Sequence, residues 1–393
     1  MLKRVLIVQY SSGLNGSTLS ALSLAKGLVK SGYETCVIFA TDGPAIQAFR
    51  QSDVTVYTLT HLSWLRRKPL VEFVYDFIRE WRRKKRFAEL ISQVQPDLVY
   101  INTSVSIAAA IAAKHSDIPC IWHIRELFSE VGGEMQAPEF LKPTIARFFR
   151  YFSSTLVVPA NIVSHCMLKQ SARCHSIPVH TVPNGIPASF FSENQTSNST
   201  ISDVASKNEE SLVIGFPGTL RPVKGHFFFL RAIAPILHQR ADLRVLITGD
   251  GTGTFKREMV ELISSLGIRE QVRAIGTIED MPAFYRSCDI ICVPSASESF
   301  GRTVVEAMAS QRPLLASAVG GIKEIIDDRL NGLLFDYGDE EAFRSALTEL
   351  LENKVMREKL AKAARKKAWE QYREETYQQR LITIIEETLA GAK

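Results

Sequence analysis

Long hydrophobic runs are missing from these 393 residues. The most apolar stretch, residues 104–113, is far short of the roughly 20 residues that a membrane-spanning helix needs. The first residues, MLKRVLIVQYSSG, pass from a charged start straight into a short strand. No small-residue cleavage pattern follows, so no signal peptide is expected. Cysteine is scarce, with six in the chain and none in a paired C-x-x-C spacing. This argues against a structural zinc site and for buried free thiols in a reducing cytoplasm. Cys288 and Cys292 flank DII, and their even spacing predicts one shared face of a strand. D-x-D is absent, which argues against a metal held in that common way. H-E-x-x-H and a Ser-His-Asp order are absent too, and the eight histidines are scattered. The G-x-G-x-x-G fingerprint is also missing: Gly13 and Gly16 are followed by Ser17, Thr18 and Leu19, which argues against a dehydrogenase.

What is present supports two folded domains. Apolar residues make up 46% and charged residues 23%, enough for two cores in a soluble chain of this length. The net charge is +5, yet residues 64–86 alone hold nine basic side chains against Glu72, Asp76 and Glu80. The rest of the chain is therefore close to neutral. Arg66, Arg67, Lys68, Arg79, Arg82, Arg83, Lys84, Lys85 and Arg86 are interleaved there with Trp64, Phe73, Phe77 and Trp81. Such a segment suits an anionic membrane surface, or a solvated helix whose aromatics face the core. No nucleic-acid-binding motif accompanies it, so no nucleic-acid partner is expected.

The first half alternates short apolar strands (residues 4–9, 35–40, 98–102, 120–123 and 155–158) with helices. A helix after the SSGLNGS turn ends at Gly32. Residues 192–211 are polar and lack apolar periodicity, as a linker or long loop would be. A second series follows, with strands at 212–216, 244–248, 272–275, 290–293 and 313–316, then an amphipathic helical region from about 340 to 389. Alternating strands and helices predict parallel sheets covered on both faces. Ligands of such sheets bind beyond the carboxyl ends of the strands.

The strongest chemical signal is PSASESFGRTVVEAMAS, residues 294–310. It follows a strand and opens a helix, whose free N–H groups and positive dipole end suit a diphosphate. Gly301 leaves room for a ligand, and Arg302 adds charge. Glu306 sits among Val304, Val305, Ala307, Met308 and Ala309. A buried carboxylate there must be paired. Ribose hydroxyls or a buried arginine would serve. Glu298 lies in the loop ahead of the helix, as a ligand-facing group or a cap.

ESFGRTVVEAM resembles the E-x7-E signature of the retaining glycosyltransferases of family 4, which have the GT-B fold. GFPGTLRPVKG (215–225) resembles the family's phosphate loop, ITGDGTG (247–253) its G-x-G turn, and GGIKEII (320–326) with NGLLF (331–335) the segment closing the nucleotide pocket. Residues 13–17 resemble its N-terminal glycine loop. IWHIREL (121–127) resembles a loop carrying a sugar-facing histidine, and VPNGI (182–186) the end of the N-terminal domain.

The resemblance implies two Rossmann-like α/β domains facing across a cleft. The acceptor would lie in residues 1–190 and the nucleotide sugar in 211–370, with 191–210 as linker. Residues 371–393 would form a helix returning to the first domain. It implies catalytic roles for Glu298, His123 and Lys224. Gly16, Gly218, Thr219, Arg221, Lys224, Gly249, Ser299, Phe300, Gly301, Arg302 and Glu306 would bind the donor, with Glu306 on the ribose. Where the family has arginine after the first glycine of the phosphate loop, this chain has Thr219, and Arg221 is expected to substitute. No cofactor or metal is expected. The expected partners are a UDP- or GDP-sugar, a glycan or lipid-linked acceptor, and a membrane surface on residues 64–86. The setting would be cytoplasmic or the inner face of a bacterial plasma membrane. A glycosidase is disfavoured, because one of the two carboxylates is committed to the nucleotide. A nucleotide-sugar epimerase or hydrolase of the same fold, or a non-catalytic nucleotide-sugar binder, stays open.

Overall fold

The computed structural model describes residues 2–61, 70–127, 139–168, 177–192 and 211–392. The polar segment 193–210 and residues 64–69 of the basic segment lie outside the described residues. The chain forms two compact units. The first is Met1–Gly185 with Glu374–Lys393, and the second is Ile186–Arg373.

Among the described residues, unit 1 holds seven parallel strands: β1 (Arg4–Gln9), β2 (Glu34–Phe39), β3 (Thr55–Thr58), β4 (Leu98–Ile101), β5 (Cys120–His123), β6 (Thr155–Val158) and β7 (Val179–Thr181). Their order is β3-β2-β1-β4-β5-β6-β7, with Val5 beside Thr35 on one side and Leu98 on the other. Helices cover both faces, so central strands are apolar throughout instead of alternating. Leu6 and Val8 enter one core with Trp122 and Phe149, while Val5 and Ile7 enter the other with Leu24 and Leu28. That second core also takes Tyr377, Leu381 and Ile385 from the last helix, Glu374–Gly391. This helix packs so closely on helix Gly16–Lys30 that a Cβ at Gly27 would meet Gln378 at 2.9 Å. The final helix is thus part of unit 1.

Unit 2 repeats the plan with β8 (Leu212–Pro217), β9 (Leu243–Thr248), β10 (Val272–Gly276), β11 (Ile290–Val293), β12 (Leu314–Ser317) and β13 (Leu333–Phe335), in the order β10-β9-β8-β11-β12-β13. Ile186 already belongs here: its N–H donates to the Tyr372 carbonyl at 2.8 Å, and Phe190 and Phe191 are buried in the unit's core. The chain therefore changes unit before residue 190. Strands β3, β7 and β13 were not anticipated from the sequence. All three are short edge strands: β3 and β7 are only partly buried and show little apolar pattern, and β13, though apolar, is just three residues long.

The expected shared strand face of Cys288 and Cys292 does not exist. Cys288 caps the helix Met281–Ser287 and packs in one core, while Cys292 lies on β11 and packs in another. The aspartate between them starts a new element, so period-two reasoning does not carry across it. The five described cysteines are free, and burial pushes the Cys120 thiol up to about 12.

In each sheet the strand order reverses once, between β1 and β4 and between β8 and β11. The loops after those paired strands turn to opposite faces and leave a crevice at the carboxyl ends.

Candidate active site

In unit 2 the crevice is built by the loops after β8 and β11. Ala296 N–H donates to the Val223 carbonyl at 2.8 Å, tying the two loops together. Across this junction Lys224 Nζ donates to Glu298 Oε1 at 2.5 Å, and Ser295 Oγ donates to the same oxygen at 3.0 Å. Ser295 is in turn fixed by Ser317, whose hydroxyl donates to its carbonyl at 2.5 Å. Lys224 and Glu298 are thus brought together as an oriented ion pair with partial access to water.

Glycine makes the close packing possible. Gly249 has φ +124°, and a Cβ there would lie 2.0 Å from the Gly218 carbonyl oxygen. Gly320 has φ +46°, and its Cβ would lie 1.8 Å from the Glu298 carbonyl oxygen. Any side chain at either position would push apart the loops that carry Lys224 and Glu298. Thr219 and Arg221 are exposed on the β8 loop. The Leu220 N–H between them donates to the Asp250 carbonyl at 2.8 Å.

Gly301, in the left-handed region at φ +102°, starts the helix Arg302–Ala309. Ser299 is half-buried beside it. The Phe300 ring is committed to the core, 6.0 Å from Tyr372 and edge-on, which leaves its backbone as the part able to meet a ligand. Glu306 is buried and doubly paired: Arg302 Nε donates to Oε1 at 2.8 Å, and Tyr285 OH to Oε2 at 2.9 Å. Arg302 is therefore engaged with Glu306, one helical turn away, in addition to standing at the helix start. Burial, with the Glu306 carboxylate second, pushes the Tyr285 hydroxyl well above its ordinary range, so it stays a donor.

In unit 1, Asn15 caps the helix that begins at Gly16, accepting the Thr18 N–H at 3.1 Å. Asn102, just after β4, donates to Gln9 Oε1 at 2.6 Å and to the Ser17 carbonyl at 2.9 Å. Arg125 then links this loop to His123. Its Nη2 donates to Asn102 Oδ1 at 2.8 Å and to His123 Nδ1 at 3.2 Å, and its Nη1 to Asn184 Oδ1 at 2.6 Å. Tyr100 OH lies 2.6 Å from the same histidine nitrogen. A guanidinium can only donate, so His123 Nδ1 accepts and the ring proton sits on Nε2. Nε2 is buried and unpartnered among the described residues. Burial, helped by Arg125, holds His123 well below the ordinary histidine range. His123 is thus neutral, with its Nε2–H as an unused hydrogen-bond donor among the described residues.

Three buried histidines share that environment. Burial lowers His61 and His226 to about 4 and His123 well below its usual value. The unfolded chain takes up these protons near pH ~6.5, and the folded chain does not. Stability is expected to be full above about pH 6.5 and to fall as the pH drops toward 4. The loss is up to ~1.4 kcal/mol per pH unit for each histidine. Urea unfolding at roughly pH 7.5 and pH 5 checks this, and equal stability at both would contradict it.

Two family models match the chain: Glycosyltransferase Family 4 over residues 14–190, and Glycosyl transferases group 1 over residues 197–367. The chain belongs to glycosyltransferase family 4. Its structure is similar to that of Anabaena Alr3699/HepE in complex with UDP and glucose, at 21% identity and TM-score 0.80, covering 97% of this chain and 99% of that one. A glycosyltransferase from Rickettsia africae ESF-5 aligns at 19% identity and TM-score 0.82, over 99% of both chains. These likenesses show the GT-B fold. A D-inositol 3-phosphate glycosyltransferase of Salinispora arenicola is 35% identical over 170 residues, 41% of this chain. One of Corynebacterium urealyticum is 35% identical over 159 residues, 39% of this chain. In both cases the match spans 38% of the relative's length.

Within this family member, sequence reasoning missed the residues that hold the site residues in place. Asn102, Arg125, Asn184 and Tyr377 form a buried polar network around His123, with Tyr377 OH accepting from Arg125 Nη2 at 2.9 Å. Arg125 and Asn184 stand inside the quoted IWHIREL and VPNGI segments, which was the available signal. Tyr377 and Tyr285 carried none, because each arrives from an element remote in the chain.

Proposed function

We propose that the chain is a retaining, metal-independent glycosyltransferase that moves a sugar from a UDP- or GDP-sugar to a glycan or lipid-linked acceptor. The observation that carries this reading is the Lys224–Glu298 pair at the β8/β11 reversal, beside the helix that starts at Gly301. Cleaving a glycosyl–phosphate bond puts negative charge on the departing diphosphate. Lys224 and the free N–H groups of that helix are fixed where such charge develops. A diphosphate at this point competes with Glu298 for the lysine and turns the carboxylate toward the donor sugar hydroxyls. Glu306 takes the ribose, and within unit 1 the Nε2–H of His123 is the donor offered to a sugar hydroxyl.

A calorimetric screen with UDP, GDP and their sugars in the absence of metal tests the donor site. One base should bind clearly, turnover should require an acceptor, and the product should keep the donor's anomeric configuration. Absence of nucleotide binding would overturn the reading. Donor breakdown without acceptor would instead favour a hydrolase or epimerase.

The acceptor side draws support from the helix Leu70–Arg82. Phe73, Phe77 and Trp81 pack inward, as in the reading of a helix whose aromatics face the core. Asp76 and Glu80 are buried too, and Glu80 pairs with Arg83 at 3.1 Å. What faces outward is Val71, Val74, Tyr75 and Ile78, one apolar stripe at helical spacing, bordered by exposed Arg79, Arg82, Lys85 and Arg86. This combination fits an anionic bilayer, with the stripe in the headgroup layer and the cations on lipid phosphates. No helix among the described residues is long and apolar enough to cross a membrane. Replacing Arg82, Lys85 and Arg86 by glutamine should weaken binding to phosphatidylglycerol vesicles about 100-fold at low salt, at ~1 kcal/mol per charge. Equal sedimentation of parent and variant would reject the surface.

A further inference from the structure

Unit 2 carries a recess that the donor reading does not use. A cavity of about 580 Å³ opens between helix Lys354–Gln371 and the starts of β11 and β12, with Asp289 and Pro313 in its wall. Both residues immediately precede those strands. The sheet is parallel, so the recess lies at the amino ends, while Lys224 and Glu298 follow strands at the carboxyl ends.

Its wall is strongly basic. Arg286, Arg312, Lys354, Arg357 and Lys362 line it with Arg365, against the carboxylates of Asp289 and Glu358. Among the described residues, none of the first five forms an ion pair. Asp289 accepts the Val213 N–H at 2.8 Å, and its charge also acts on Arg312, leaving the wall with a large excess of cations. Arg312 is fixed in place by the carbonyls of Ser310 and Cys288, each at 3.2 Å. Like charges converging on one recess repel one another unless an anion joins them.

Two polar atoms of wall residues have no hydrogen-bond partner among the described residues. Arg286 Nη2 and Ser310 Oγ are buried without a hydrogen bond, and Ser310 is only 6% exposed. Buried donors in native proteins are normally satisfied. Guanidinium and ammonium groups lining one recess match phosphate oxygens. We propose that this recess binds a multiply charged phosphate group, separately from the donor site. The group comes from a soluble phosphate compound or from an anionic lipid headgroup. The adjoining hollow, lined by Lys362, Arg365, Lys366 and the half-exposed Trp369, gives the second source an interfacial anchor.

The test uses the full chain with pyrophosphate as probe. Calorimetric titration into Lys224→Ala protein, which lacks the donor-loop cation, should still show binding. Affinity should fall at least tenfold in Lys354→Ala/Lys362→Ala and in Arg286→Gln, with circular dichroism confirming the fold of each. Bound pyrophosphate should also slow amide exchange in residues 354–366. Vesicles containing phosphatidic acid, a phosphomonoester, that displace pyrophosphate from the parent, and bind the double variant more weakly, would assign the site to a lipid headgroup. Vesicles that leave pyrophosphate bound would assign it to a soluble phosphate. Unchanged affinity in both lining variants, or protection confined to residues 218–225 and 294–303, would overturn the proposal.

Discussion

Replacing Lys224 with alanine is expected to lower kcat by about 10²–10³-fold, the cost of removing one fixed donor from a developing anion. The physical reason lies in its anchoring. Its ammonium is held against Glu298 across the junction of two loops whose positions are set by backbone bonds and glycine contacts. It does not have to be ordered as the bond breaks. KM for the donor should change less than kcat, because the diphosphate's charge is greatest once the sugar has begun to leave. Lys224→Arg should restore only part of the rate, since the longer planar group cannot occupy the same point. Steady-state kinetics on the purified chain decides the matter. A loss below about tenfold in kcat would remove Lys224 from the reaction and leave it a structural partner of Glu298.

Replacing Glu306 with alanine is expected to weaken nucleotide binding by about 10–100-fold. Hydrogen bonds to a charged group contribute ~1.5–3 kcal/mol, and each ~1.4 kcal/mol is a factor of ten. This variant carries a second cost. Arg302 and Tyr285 both end on that carboxylate, and its loss leaves a buried phenol and a mostly buried guanidinium without their acceptor. Stability should drop by ~1–3 kcal/mol as a result. Glu306→Gln keeps an acceptor for one of these donors and should recover part of the stability while binding nucleotide weakly. Titration calorimetry with UDP and GDP, beside thermal unfolding, separates the two effects. A stability loss with unaltered nucleotide affinity would mean that Glu306 serves only the packing of helix Arg302–Ala309.

Much of this was legible in the chain. The apolar segments RVLIVQ, CIWH, TLVV and IICV became strands with the bounds their patterns suggest, because central strands are buried on both faces and read as unbroken runs. The glycines of 215–225, 247–253 and 320–326 stood where loops must approach one another, and at Gly225, Gly249 and Gly320 a carbonyl oxygen lies 2.0 Å or less from where a Cβ would sit. Glu306 was expected to need a partner because it lies in an apolar helix. The arginine alternative describes the pairing in the structure. The basic segment was legible as charge but not as a surface. Which of its aromatics face inward depends on helix Leu70–Arg82 meeting the core.

The sequence by itself determined the two parallel α/β sheets, the loops that bear the candidate site and the types of residue placed there. Those features follow from local periodicity, turn residues and motif spacing, and all of these act over a few residues. Only the tertiary structure decided how the charges are spent. Lys224 meets Glu298 because β8 and β11 are neighbours in the sheet although 72 residues lie between them. Tyr377 reaches Arg125 because the last helix packs into unit 1. The basic recess forms because residues before β11 and β12 meet a helix that begins at Lys354. Each contact joins groups far apart in the chain, and folding closes the loops between them only when the sheets and cores assemble.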